Sequence, residues 1–577
     1  MQLFDPPGSL AHTRVAEHPS GREPRKQVTP AKPAQHSPIR AQYLGVKRGY
    51  PDAILFFRMG DFYEMFDEDA ELVARELELA LTKREWGQGE RSAMAGVPHH
   101  AAQGYIARLV AKGYRVAVCE QMSDPALSKG LVEREVIRVV TPGTVIDPAM
   151  LAAKRNNYLA AAVLGRDAVG LAYADITTGE FACTQLHAAE PENALLQELA
   201  RVQPAEVLVE AAAPERIRLA RSRPHPVPTP PPSSLPRGEG SNEGKGPRGE
   251  DGSADDDAGP ADHGVGARHA SPGSPHDSGS PPLVGEGLGV GSDDGSDLAT
   301  RLAAAGGMSD TAVTPYDPRA FKEEVARERL REQFGVATLE GFGCEKLPLA
   351  VRAAGAVVAY LRETQRDTLS QITALETYSV SGFMTLDAHT RRNLELFESG
   401  RAGGTKGSLL WVLDATRTPM GGRLLRKWLG EPLLDLAKLR ARQDGVGDTL
   451  SDSMLRARLT PALGRTGDLE RLINRVAQRI ATPRDLVALA MGLRAVEELI
   501  ASVLDVPSGL ARIFAGIQAL PELRELIERA MVDEPPMTLA EGGAIRTGYS
   551  EDLDTLLDAA RNARQWVADL ERSERER

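Results

Sequence analysis

The chain has 577 residues, a length that suggests three or more domains, and its 42% hydrophobic content is enough for real cores. No run of eighteen apolar residues offers a membrane span, and the N-terminal stretch lacks the apolar segment of a secretory signal. The net charge of −12 is unevenly placed: Pro224 to Thr300 holds 13 Asp/Glu against 4 Lys/Arg, so the total does not exclude nucleic acid as a partner, and local patches decide.

Residues 1–37 read as a disordered tail. From 38 to 150 the pattern is mixed α/β. "AILFF" is a short apolar strand, and "FYEMF" follows it after a Gly60-Asp61 turn signal. "DEDAELVARELELALTKRE" predicts a helix, with acids at its start and Lys83 and Arg84 at its end, as the helix dipole prefers. "YIARLVAKG" predicts a helix ending at Gly113, and "YRVAVCEQ" and "REVIRVVTPGT" predict strands. A second α/β unit runs from 157 to 340: "YLAAAVL", "VGLAYADITTGEFACTQL" and "AEVLVE" are strands, with the helix "PENALLQELARV" among them. It is interrupted over 224–303 by a Pro/Gly/Ser/Asp-rich stretch that has too little apolar surface to offset its ordering entropy and is expected to be a disordered insertion.

From "DPRAFKEEVARERLREQFG" and "LPLAVRAAGAVVAYLRETQ" onward the chain reads as helical, with 341–577 forming an all-α unit. "HTRRNLELFES", "TPMGGRLLRKWLG", "DLERLINRVAQ" and "TPRDLVALAMGLRAVEELIASVL" each open on a cap or a first-turn proline. In the second of these Thr418 is the expected cap, and Gly421 and Gly422 would let another helix come close. The last segment, from Ser550, carries Leu553, Leu556, Leu557, Ala560, Val567 and Leu570 on one stripe. It has no stop signal before "ERSERER", which predicts a long helix cut in mid-stride.

Several chemistries fit poorly. "GRAGGTKGS" departs from the P-loop pattern at Thr405 and Gly407, so neither Lys406 nor any other stretch predicts ATP binding. Asp175 and Glu210 sit at strand ends, as metal-binding carboxylates of a two-metal nuclease would, but without a convincing third or fourth acid. His99 and His100 lie in a loop with no carboxylate at ligand spacing, and Cys119, Cys183 and Cys344 are scattered without zinc spacing, which fits a reducing cytoplasm. No catalytic residue and no metal ligand is expected.

"FFRMGDFYEMF" is different. It holds four of the chain's twelve phenylalanines. In an extended strand Phe62, Glu64 and Phe66 share one face, and Tyr63 and Met65 the other. Pattern alone leaves two readings open. One is a core hairpin with an incidental edge glutamate. The other is a wedge, in which an aromatic ring unstacks a base step while the carboxylate hydrogen-bonds the exposed base edge.

"FFRMGDFYEMF", together with "LTKRE", "MAGVPHHA", "CEQMSDPALSKGLVEREVIRVVTPGT", "LDAHTRRNLELFES" and "TPMGGRLLRKWL", resembles the bacterial DNA mismatch-repair family MutS, from about residue 40 to the end. The resemblance implies a mismatch-binding domain, a ribonuclease-H-like connector and a helical core and lever domain, with the clamp and ATPase domains absent. ATP and Mg²⁺ are then expected only for the full-length family protein, and no cofactor or enzyme activity for this chain. The family's Phe-x-Glu motif falls on Phe62 and Glu64, which would act in one chain of a homodimer on mismatched double-stranded DNA. Lys83, Arg84, Arg108 and Arg138 are candidate backbone contacts, and a MutL-type repair protein is an expected connector partner. A structure-specific nuclease using Asp175 and Glu210, or a scaffold for a downstream factor, are the alternatives.

Overall fold

The computed structural model describes residues 36–87, 90–122, 131–211, 295–304, 311–365, 369–400, 404–503 and 509–577. The expected N-terminal tail and most of the expected insertion lie outside the described residues.

The first unit opens with α1 (Pro38–Gly49), capped by Ser37 and led by Pro38, a helix the sequence reading did not single out. After it come β1 (Ile54–Met59), β2 (Phe62–Phe66), α2 (Asp67–Leu77), β3 (Thr82–Gly87), β4 (Glu90–Pro98), α3 (Ala102–Ala111), β5 (Val116–Gln121) and β6 (Arg134–Val140). The strands form one sheet in the order β3-β4-β2-β1-β5-β6, parallel only between β1 and β5. Both faces are covered, which is why "AILFF" is apolar without alternation. Phe56, Tyr63 and Met65 pack under α2 and α3, beside Val73, Ile106 and Leu109. Phe57 and Phe66 pack with Tyr43 of α1 and with Trp86 on the other face.

One correction bears directly on function. The helix expected to run through Arg84 stops at Leu77, where Glu78 takes a left-handed backbone at φ 58°. Residues 82–87 then pair antiparallel with β4, so Lys83 and Arg84 stand on an edge strand and not at a helix end.

The second unit contains β7 (Leu159–Leu164), β8 (Ala168–Asp175), β9 (Glu180–His187), α4 (Pro191–Val202), β10 (Glu206–Glu210), α5 (Gly295–Ala304), β11 (Ala312–Tyr316), α6 (Glu323–Phe334), α7 (Pro348–Gln365) and β12 (Glu376–Thr377). Its sheet runs β11-β10-β7-β8-β9-β12. The strands β7, β8 and β9 form an antiparallel meander, and β10, β11 and β12 join in parallel. Two expected boundaries move. The insertion expected to reach 303 ends earlier, because α5 places Leu298 and Leu302 in the core against Val207 and Val209. The unit also does not end at 340: α7 is buried along its length in one cluster with Leu159, Ala172 and Phe181, and that cluster extends to Leu375. Leu302 is fully buried. Leu302→Ala should therefore cost about 2–5 kcal/mol by lost transfer energy and a cavity, read as a lower urea midpoint, whereas an unstructured segment would give no change.

The remainder is helical: α8 (Ala388–Asn393), α9 (Leu409–Leu413), α10 (Pro419–Gly430), α11 (Leu436–Ser451), α12 (Ser453–Thr466), α13 (Leu469–Ala477), α14 (Pro483–Val503), α15 (Gly509–Phe514), α16 (Pro521–Ala530) and α17 (Glu551–Glu576). Thr418 caps α10, its Oγ1 accepting from the Gly421 amide at 2.9 Å. Gly422 does admit a close neighbour, but it is Lys154, from the segment before β7, and not a helix. The helix expected over "HTRRNLELFES" is only α8, since Glu395 adopts φ 47°. That expected from Asp317 starts as a 3-10 turn, Pro318–Phe321, before α6. In α17 no residue is buried: Leu556, Ala560, Val567 and Leu570 of its apolar stripe are exposed, and Leu553 and Leu557 are half-buried.

Candidate nucleic-acid interface

The Phe62–Glu64 pair is built by a tight hairpin. Met59 pairs with Phe62, leaving Gly60 and Asp61 as a two-residue loop. Gly60 has φ 60°, the conformation that the first central position of a type II′ turn requires. The Arg58 Nε donates to the Gly60 carbonyl at 2.5 Å, and the His99 amide donates to the Asp61 carbonyl at 2.8 Å, fastening the loop from both sides.

Alternation past this turn gives neighbouring residues opposite fates. Tyr63 is buried, its hydroxyl donating to Glu120 and its ring 5.7 Å from that of His99. Phe62 is 47% exposed, although this strand has core on both faces. Glu64, on the same face, is paired with Gly96 of β4. A Cβ at Gly96 would lie 3.8 Å from the Glu64 Cγ and 4.0 Å from the Phe62 Cδ1. The glycine therefore leaves a recess no larger than a methyl group between the ring and the carboxylate.

Glu64 is largely covered, and burial pushes its pKa up, opposed chiefly by the Arg84 guanidinium and then by Arg134. Arg84 Nη1 donates to Glu64 Oε2 at 2.5 Å across β4. Its guanidinium carbon lies 5.0 Å from the Trp86 ring centroid and 5.9 Å from that of Phe66. Trp86 is in turn held by Nε1–H donation to Ser92 Oγ at 2.7 Å.

The other proposed basic contacts are not gathered at this face. Lys83 is exposed on β3, one residue from Arg84 and so directed to the opposite face. Arg108 is exposed on α3, the helix covering that opposite face. Arg138 is drawn inward: its buried Nε lacks a hydrogen-bond partner, and burial lowers its pKa against the pull of Asp147. Sequence reasoning passed over Arg58 and Arg134. Arg58 lies 5.6 Å from the Tyr63 ring, while Arg134 packs 5.2 Å from the Phe57 ring and donates to the Arg58 carbonyl at 2.7 Å. Arg58 was within the motif itself; Arg134 had no local signal, because β6 reaches the hairpin only through the sheet.

The carboxylates of the alternative reading are not assembled for metal chemistry. Asp175 is fully buried and accepts from Thr177 N at 2.9 Å, Thr177 Oγ1 at 2.7 Å, Asn157 N at 3.1 Å and Asn156 Nδ2 at 3.0 Å. Glu210 pairs with Arg352 at 3.2 Å. Among the described residues no group of three His, Cys, Asp or Glu is placed to hold a metal. Ser408, the last residue of the P-loop-like stretch, caps the short helix α9, and among the described residues the element before the stretch is the helix α8, not a strand. Among the described residues no helix is long and apolar enough to cross a membrane.

Comparison with known proteins places this geometry in context. The sequence matches the family profile MutS domain I over residues 37–149, MutS domain II over 157–228 and 311–373, and MutS domain III over 389–576. The second match spans the α7 helix, in agreement with the core described above. The chain is similar to the DNA mismatch repair protein MutS of Symbiobacterium thermophilum, at 41% identity over 547 residues, covering 94% of this chain and 53% of that protein. It is likewise similar to those of Thermosynechococcus vestitus, 39% identical over 543 residues, and Methanosarcina acetivorans, 39% identical over 559 residues, each covering 94% of this chain and 53% of the relative. The chain thus spans about half the length of the curated relatives it matches. With three domain profiles of one family matched in order along most of its length, the chain belongs to the MutS family.

Proposed function

We propose that this chain is the mismatch-sensing part of a DNA mismatch-repair protein, reading mispaired or unpaired bases in duplex DNA. The observation that carries this reading is the exposed Phe62 ring set beside Glu64, across a recess kept open by Gly96. In the proposed mechanism the ring enters the base stack from the minor groove and the duplex kinks. Mispaired steps are weakly stacked, so the distortion costs less there than at a matched site. Glu64 then engages the displaced base. The second sheet, with its antiparallel meander and flanking parallel strands, is read as a ribonuclease-H-like connector and a docking surface for a MutL-type partner. The helices from 388 onward are read as the core and lever. Pairing of two chains, and an ATP- and Mg²⁺-driven step located outside these residues, complete the proposal.

Glu64→Gln tests the reading. The carboxylate faces where duplex phosphates would approach, so its charge opposes any DNA that offers no compensating hydrogen bond. Removing it should raise affinity for a matched duplex more than for a G·T duplex, narrowing their ratio several-fold at fixed salt. The pH dependence has a definite sign. Burial raises the Glu64 pKa. Protonated Glu64 can donate to a base acceptor, and raising the pH through its pKa removes that donor. G·T affinity should fall along that limb in the parent chain and stay flat in Glu64→Gln. An unaltered ratio and unaltered pH profile would remove Glu64 from recognition.

A further inference from the structure

The Glu64 carboxylate is already engaged in the DNA-free chain, and its partner is a cation well suited to phosphate. Among the described residues, Arg84 makes its hydrogen bond and ion pair to Glu64 alone, through one Nη atom. The remaining edges of its fork are unused, and the side chain keeps 31% of its exposure. Its stem is parked on Trp86 and Phe66, so the planar group is pre-positioned.

The surroundings of Glu64 explain why such a partner is needed. From β6 comes Arg134, whose Nε donates to the Arg58 carbonyl and whose Nη1 donates to Gln42 and Val132. From β4 comes Gly96, which brings no charge. On β2 itself the same-face neighbours are Phe62 and Phe66, neither charged. Among the described residues Arg84 from β3 is thus the hydrogen-bonded partner that chiefly offsets the desolvation of the carboxylate, with Arg134 acting at longer range. A carboxylate held in this way cannot offer the same lone pairs to a base. A phosphate oxygen pair is also a stronger, bidentate acceptor for a guanidinium than the single oxygen that Arg84 now uses.

We propose that Arg84 is a positioning residue with two successive partners, clamping Glu64 in the free protein and passing to a backbone phosphate when duplex DNA docks, which releases Glu64 into the recess beside Phe62. This rests on the mismatch-reading role given above to that face. Recognition and release are then one event: the Glu64 oxygen that Arg84 holds becomes available only where a phosphate has arrived to take its partner. The charge balance also holds, since the departing cation neutralises the incoming phosphate and the freed carboxyl can take a proton from solvent.

The test uses the whole chain with Arg84→Gln, Glu64→Gln and the double variant, each checked for unchanged thermal unfolding. The Glu side-chain carboxyl resonances are titrated without DNA, with Glu64 assigned by its loss in Glu64→Gln. Binding to G·T and matched duplexes is measured across a salt series. Arg84→Gln should move the Glu64 titration midpoint upward. It should also reduce the slope of log affinity against log salt by about 0.9, the value for one phosphate contact. Glu64→Gln should restore, in the Arg84→Gln background, affinity for matched duplex lost to the unclamped charge. A shifted titration with an unchanged salt slope would overturn the exchange and leave a static ion pair. An unchanged titration would overturn the clamp. Equal parent affinity for both duplexes would instead overturn the mismatch reading, and the titration together with the matched-duplex salt slope would still decide the exchange.

Discussion

Phe62→Ala is expected to abolish the preference for mismatched over matched duplex while leaving salt-sensitive, sequence-independent binding in place. The two components have different physical origins. Non-specific affinity comes from cations that displace counterions at phosphates, and an alanine at position 62 removes none of these. The preference comes from the ring. Phe62 is 47% exposed at the start of a strand whose next residue is buried, so its contacts with the rest of the protein are few and its loss leaves the core intact. Stacking of an aromatic side chain on a base is worth about 1–3 kcal/mol by alanine substitution, which corresponds to roughly five- to 150-fold in the G·T-to-matched ratio. Competition binding at one salt concentration measures it directly. Undiminished discrimination, with an unchanged melting temperature, would return the hairpin to a purely structural role.

The second large effect is on stability. Gly170→Ala is expected to destabilise the second unit at or beyond the upper end of the 1–3 kcal/mol typical of overpacking. Gly170 lies in β8, opposite Val163 of β7, where the first turn of α7 rests on the sheet. A Cβ there would sit 2.2 Å from both the carbonyl carbon and the oxygen of Leu349 and 2.7 Å from the Ala350 amide nitrogen. These are backbone atoms, so no rotamer change relieves the clash and the whole helix must lift. Gly355, farther along α7, is bound in the same way, its would-be Cβ 2.3 Å from that of Ala326 in α6. Gly104→Ala is the natural control: it lies in α3 with nothing within 4 Å of a new methyl, and should gain up to about 1 kcal/mol from helix propensity. Urea unfolding of the two variants beside the parent chain gives the comparison. Equal midpoints for Gly170→Ala and the parent would mean that α7 is not seated on the sheet, and that the boundary near 340 was right after all.

Much of this architecture was legible in local sequence because the signals were local. "AILFF" and "YLAAAVL" are short apolar runs that only a strand covered on both faces accommodates, and both are central strands. Thr418-Pro419 and Asp468 mark helix starts through hydrogen bonds that span three residues or fewer. The failures share the opposite cause. Residues 82–87 carry a helix-compatible pattern with basic residues where a helix C-terminus favours them, and they became a strand because β4 offers them a partner. The α7 helix reads as amphipathic whether it packs on other helices or on a sheet, and only the placement of Gly170 of β8 against its first turn selects the sheet. Leu298 and Leu302 were hidden at the edge of a polar segment, where two leucines are too few to register until Val207 and Val209 stand opposite them.

The candidate site divides along the same line. By itself, the sequence determined that Phe62 and Glu64 share a face directly beyond a Gly-Asp turn, because strand alternation and the φ of Gly60 are properties of a handful of adjacent residues. Only the tertiary structure decided that Phe62 stays exposed, that Gly96 opens the recess beside it, and that Arg84, twenty residues later in the chain, holds the carboxylate while Arg138 is drawn inward. Each of these depends on which strands lie side by side. Side-by-side placement is set by burying two apolar faces of one sheet at once, a condition on the whole unit that no short stretch of sequence contains.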